Sequence, residues 1–109
     1  KIATPENKAF LAAFHKRFGA DYPNVTELAM GTYQGFKLWA EAVKEAKSVK
    51  REAVAAALDH AKLANGPGGG CEMVPGTRHL KMNMYIAVSK AGQYKVVESS
   101  KMVAPGECA

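Results

Sequence analysis

The sequence has no uninterrupted apolar run of the roughly 18 residues that a membrane-spanning helix needs, because lysine and glutamate break its longest greasy windows. It also lacks a Gly-Lys-Ser/Thr phosphate motif, and its cysteines are only two, Cys71 and Cys108. A zinc site wants four ligands at short paired spacings, whereas His15, His60 and His79 stand on three separate stretches and neither cysteine has a close ligand neighbour. No metal and no cofactor is expected on these grounds. Initiator methionine and a charged-then-apolar leader are absent too, so the opening KIATPENKAF is expected to be a processed or cut start, which leaves an exported origin open.

An excess of positive charge is present but diffuse. Fifteen Lys and Arg stand against ten acids, for a formal charge of +5. The densest basic group, Lys44, Lys47, Lys50 and Arg51, is interleaved with Glu41, Glu45 and Glu52, and no aromatic residue lies among them for base stacking. The expectation is a solvated helix face and no nucleic-acid partner. What the chain does have is 48% hydrophobic residues over 109 positions, enough for one folded domain with a modest core.

Local chemistry predicts three helices. Thr4-Pro5-Glu6 combines a hydroxyl cap, a proline where its missing N–H costs nothing, and an acid favoured by the helix dipole. With Phe10, Leu11, Phe14 and Phe18 on one stripe and Gly19 as the stop, the first helix runs Pro5 to Phe18. After the loop ADYPNV, Thr26 caps a long amphipathic helix to Lys47 whose apolar positions Tyr33, Phe36, Ala40 and Val43, with Trp39 beside them, are expected to face the core. Gly31 and Gly35 inside it each cost about 1 kcal/mol relative to alanine and point to a close approach on that side. Ser48 is the expected cap of a third helix, with Val54, Leu58 and Ala61 inward.

Beyond Leu63 the period falls to two. Leu80, Met82, Met84, Ile86 and Val88 alternate with more polar neighbours as a long half-buried strand, SKAGQ turns the chain, and YKVVES returns. Three helices and one hairpin make an odd inventory, since a two-stranded sheet is marginal alone.

The stretch GPGGGCEMVPGTRHL gathers the remaining chemistry. A phosphate loop must lead into a helix N-terminus, and this one leads into a strand, so a flexible turn is the expectation. Cys71 and His79 could meet across it as nucleophile and base, but no helix N-terminus lowers the thiol pKa and no acid is placed to orient the histidine. The simpler alternative is that Cys71 pairs with Cys108 in an oxidising compartment, a closure contributing on the order of 3–4 kcal/mol.

In order, TPENKAFLAAFHKRFG, GTYQGFKLWAEAVKEAKS, KREAVAAALD, a Gly-Pro-Gly connection and EMVPGTRHLKMNMYIAVSKAGQYKVVES resemble the C-terminal third of the type I periplasmic solute-binding proteins of ABC transporters, in the amide, urea and branched-chain amino acid group. Thr4 to Phe10 echoes the family's NPxNKAF, Tyr33-Gln34-Gly35 its Y-x-G/A helix start, and Gly66 to Val74 with Thr77-Arg78-His79 its glycine crossover. Arg78 and Glu72-Met73 depart from the commoner pattern.

The resemblance implies an α/β fold, a C-terminal fragment of two lobes joined by hinge crossovers. It divides the chain into a helical segment over residues 1–64, a hinge-like crossover over 65–78 and a hairpin with tail over 79–109. It implies hinge roles for Gly66, Gly68, Gly69 and Gly70 and a ligand-binding role for Tyr33. It also implies a periplasmic location, no catalysis, and as partners a small polar solute (amino acid, amide or urea), the remainder of the parent protein and a membrane permease. The competing reading is a stand-alone interaction domain, homodimeric through its hairpin edge.

Overall fold

A computed structural model describes residues 2–106. Its helices are α1 (Pro5–Phe18), α2 (Glu27–Ala46) and α3 (Arg51–Leu58), followed by strands β1 (Lys62–Leu63), β2 (Cys71–Val74), β3 (His79–Lys90) and β4 (Gln93–Val103). The caps act as their chemistry requires: Thr4 Oγ1 accepts from the Asn7 N–H at 3.2 Å and Thr26 Oγ1 from the Ala29 N–H at 3.3 Å. Gly19 ends α1 at φ 112°. Ser48 is not the cap of α3. Lys50 holds that position, and Ser48 Oγ accepts from the Lys50 N–H at 3.1 Å one step outside the helix.

The four strands form one antiparallel sheet in the order β1-β2-β3-β4. The expected hairpin is therefore β3–β4, and it is extended at its base by two short strands. Residues 65–78, read from the sequence as a crossover, contain β2, which pairs Cys71 with Met82 and Val74 with His79. Ala91 and Gly92, both at positive φ, make the two-residue turn that matches the twist of the β3–β4 hairpin. At the other turn Asp59 Oδ1 accepts from the Gly76 N–H at 2.8 Å, fastening 75–77 to the end of α3.

The core lies between α2, α3 and the base of the sheet. Leu38 and Ala42 from α2 meet Val54 and Ala57 from α3, with Ala61 and Cys71, and Leu63, Met73, Leu80 and Met82 pack against them. Alanines at three of these positions let the backbones approach closely. The expected inner face of α2 is corrected: Phe36 is 71% exposed and Tyr33 and Trp39 are also exposed, while Gln34, Leu38 and Ala42 are buried. The apolar stripe is displaced from the buried one because a glutamine, Gln34, holds the N-terminal position of the latter, and apolar periodicity cannot register it. On β3, likewise, burial ends after Met82 on the core side; Met84, Ile86 and Val88 are exposed.

The basic run is solvated. Lys44 pairs with Glu41 at 2.7 Å and Arg51 with Glu52 at 3.1 Å, both exposed pairs of the kind that contribute about 0–1 kcal/mol. On the sheet face away from the helices, Glu72 accepts from Lys81 at 2.6 Å and Lys62 at 3.1 Å, one carboxylate between two cations on neighbouring strands. Lys81 first, then Lys62, hold the Glu72 carboxyl below the usual carboxylate range. Since folding lowers this pKa, the stabilisation is complete above the unfolded value and is lost as pH falls through the folded one. Glu72→Gln is expected to flatten the fall of Tm as acidification passes below the ordinary glutamate range, measured against the wild type. Parallel curves would contradict the ion-pair reading.

Candidate functional site

The sequence-predicted site residues fall in two neighbouring places. The first is a groove between α1 and α2 of about 650 Å³, lined among others by Phe10, Phe14, Tyr33, Leu63, Gly66 and Pro67. Tyr33 projects into it with its ring 4.6 Å from that of Phe10 and the Lys37 ammonium 5.9 Å from its own ring centre. Its volume is in the range of small-molecule sites. α1 is attached beside it by the Phe10–Tyr33 contact and by Thr4 Oγ1 donating to the Pro67 carbonyl at 3.4 Å.

The second place is the turn Gly66–Gly70, which joins β1 to β2. Gly66 and Gly69 exchange two backbone hydrogen bonds of 3.1 and 2.8 Å across it. Gln34, only 3% exposed on α2, accepts from the Gly68 N–H at 2.7 Å and donates to the Gly69 carbonyl at 3.4 Å. From β3, Tyr85 donates its hydroxyl hydrogen to the Gly68 carbonyl at 3.1 Å, and Asn83 Nδ2 lies 3.4 Å from that hydroxyl. A Cβ on Gly66 would approach the Gly69 carbonyl to 2.8 Å, one on Gly68 the Gln34 oxygen to 2.6 Å, and one on Gly70 the Ala64 carbonyl to 2.8 Å. Gly69 needs its φ of 96° as well. Here glycine serves close approach, to backbone at Gly66 and Gly70 and to the Gln34 and Asn83 side chains at Gly68 and Gly69.

Sequence reasoning singled out the glycines and missed Gln34, Asn83 and Tyr85 that hold them. The available signal was Gln34 itself, a polar residue one helical turn from Leu38 and two from Ala42 on the same face.

Cys71 and His79 are not brought together. Cys71 pairs with Met82 and is 1% exposed in the core, whereas His79 pairs with Val74 at the other end of β2 and is exposed. Burial pushes the Cys71 thiol up, against the opposing effect of its hydrogen bond with Gln34, the reverse of what a thiolate nucleophile needs. Cys108, the expected disulfide partner of Cys71, lies outside the described residues. His60 contacts Glu45 at 2.8 Å across α2 and the end of α3, and among the described residues no three His, Cys, Asp or Glu gather as metal ligands.

The sequence model of the periplasmic binding protein domain matches residues 1–108. Among solved structures, the chain is similar to the solute-binding protein of an ABC transporter from R. palustris, crystallised in complex with 4-hydroxybenzoate, with 30% sequence identity and a TM-score of 0.72 over 94% of this chain. The chain spans 28% of the length of that structure. No curated protein matches it. The family match over nearly every residue, on an α/β architecture of three helices and an antiparallel sheet, establishes that the chain belongs to the periplasmic binding protein domain family.

Proposed function

We propose that this chain belongs to an exported solute-binding protein that captures a small polar solute in the periplasm and delivers it to the membrane permease of an ABC transporter. The match to the periplasmic binding protein domain over residues 1–108 carries this reading. Amino acids, amides and urea are the solutes that the sequence resemblance implies. The 4-hydroxybenzoate held by the R. palustris protein supports a second class, small aromatic carboxylic acids. Tyr33 is the ligand-facing residue of this segment, through ring packing or its hydroxyl, and most of the ligand shell is contributed by the rest of the protein. Cys71 and Cys108 are proposed to tie the tail to the start of β2 in the oxidising periplasm.

The groove beside Tyr33 and the separation of Cys71 from His79 support binding rather than turnover. A thermal-shift panel on the complete protein tests the proposal. A solute at about one hundred times its Kd is expected to add about 2.7 kcal/mol to stability. A flat response to branched-chain amino acids, urea, short amides and 4-hydroxybenzoate would sink the solute assignment.

A further inference from the structure

Of the four asparagines in the chain, only Asn65 precedes a glycine. In that pairing the backbone nitrogen of the glycine can attack the asparagine side-chain carbonyl carbon with no Cβ in the way. The nitrogen loses its proton, ammonia leaves, and a cyclic imide joins Asn65 to Gly66. Water then opens the imide at one carbonyl or the other, giving aspartate or an isoaspartyl linkage whose main chain runs through the side chain. The reaction consumes only water.

The fold cannot dispense with glycine at position 66. A Cβ there would approach the Gly69 carbonyl to 2.8 Å and the Gln34 side chain to 3.0 Å. The reactive pairing is therefore built into the turn, with Asn65 exposed and Gly66 and Pro67 buried beside it. The same turn withholds the nucleophile. The Gly66 N–H donates to the Gly69 carbonyl at 3.1 Å, and Gly69 returns its own N–H to the Gly66 carbonyl at 2.8 Å. Between them, Gln34 from α2 accepts from the Gly68 N–H at 2.7 Å and Tyr85 from β3 donates to the Gly68 carbonyl at 3.1 Å. The Gly66 nitrogen is free to attack only while these bonds are open.

From these observations we infer that Asn65 is a deamidation site, that it reacts by cyclising onto Gly66, and that the clamp of Gln34 and Tyr85 on Gly68 sets its rate. The product matters because of where it forms. Asn65 lines the groove that Tyr33 and Lys37 also line, so the reaction places a carboxylate where a neutral amide stood. That consequence for solute capture rests on the proposed function; the chemistry does not.

Incubation of the 109-residue chain in mildly alkaline buffer, beside a synthetic peptide of residues 62–70, tests the chemistry. Proteolytic mapping by mass spectrometry, with isoaspartate resolved from aspartate, is the readout. Asn65 in the folded chain is expected to convert about one hundred-fold more slowly than in the peptide, since the turn must open first. Tyr85→Phe, which removes one hydrogen bond and keeps the ring, is expected to speed conversion about five-fold, and Gln34→Ala to speed it further. The Tyr85 variant decides the matter should the Gln34 variant fail to fold. Conversion of the wild type at the peptide's rate, a Tyr85→Phe rate equal to the wild type's, or aspartate formed without isoaspartate overturns the inference. In the complete protein, Asn65→Asp is expected to weaken 4-hydroxybenzoate binding about ten-fold and leave urea binding unchanged. Unchanged 4-hydroxybenzoate binding, or failure of every solute with the wild type, would remove the groove's part in capture and keep the deamidation site.

Discussion

Gly69→Ala is expected to destabilise the fold by about 2–3 kcal/mol, among the largest effects of any single methyl group added to this chain. Two costs add. Gly69 sits at φ 96°, where an L side chain is strained, and its Cβ would overlap the Asn83 side-chain amide. Asn83 has little freedom to yield, because its oxygen is committed to the Met102 N–H. Relief by moving the turn would in turn stretch the Gln34 and Tyr85 bonds to Gly68. Gly35→Ala is the control: the close approach expected at Gly31 and Gly35 is not found, nothing lying within 4 Å of either missing Cβ, so alanine at this helical position is expected to stabilise by about 0.5–1 kcal/mol. Urea unfolding midpoints measure both. A Gly69→Ala midpoint equal to the wild type's would mean that the turn is loose.

The second large effect is expected at Leu38. It is 2% exposed and is the bulkiest buried aliphatic side chain, wedged among Ala42, Val54 and Ala57. Its fully buried neighbours are small, and the longer Leu63, Met73, Leu80 and Met82 reach the cluster only from partly exposed positions at its margin. Leu38→Ala is therefore expected to cost about 3–5 kcal/mol, the upper end of the range for buried leucine. For a chain of this length that is a large fraction of total stability. Calorimetric unfolding of Leu38→Ala beside Phe36→Ala sharpens the point, since Phe36 is larger but 71% exposed and its removal is expected to change stability by less than about 1 kcal/mol. The opposite ranking would restore the inner face that apolar spacing alone suggests.

That ranking shows where the sequence is transparent and where it is not. Helix ends are legible because capping is local chemistry: Thr4-Pro5 and Gly19 bound α1, and Thr26 starts α2, at the positions their side chains dictate. The β3–β4 hairpin is legible because its period of two extends over many residues and Ala91-Gly92 supplies the turn. The buried face of α2 is not, since Gln34 takes its place there for a hydrogen-bonding reason that arises only when the Gly68 and Gly69 backbone arrives from a distant stretch of the chain. β1 and β2 escape notice because strands of two and four residues carry no usable period. Of the candidate site, the glycines and Tyr33 can be named from the sequence, whereas the partners that give the glycines their meaning are long-range contacts. The alternation of β3 also promises burial along its whole length, and the helices do not extend that far over the sheet.

The exposed outer hairpin and the exposed Phe36 and Trp39 leave considerable apolar surface uncovered in a chain spanning 28% of the solved relative it matches. A longer protein carrying this segment, with further strands and helices against these faces, is the setting in which solute capture is proposed to operate.

Such a protein is proposed to bind a small solute rather than transform it. Isothermal titration calorimetry of the complete protein against leucine, urea, acetamide and 4-hydroxybenzoate is the most direct measurement. Saturable one-to-one binding of at least one of them, weakened about ten-fold or more by Tyr33→Ala, with the solute recovered unchanged, is the predicted result. No heat from any of the four, or recovery of a chemically altered solute, would contradict it.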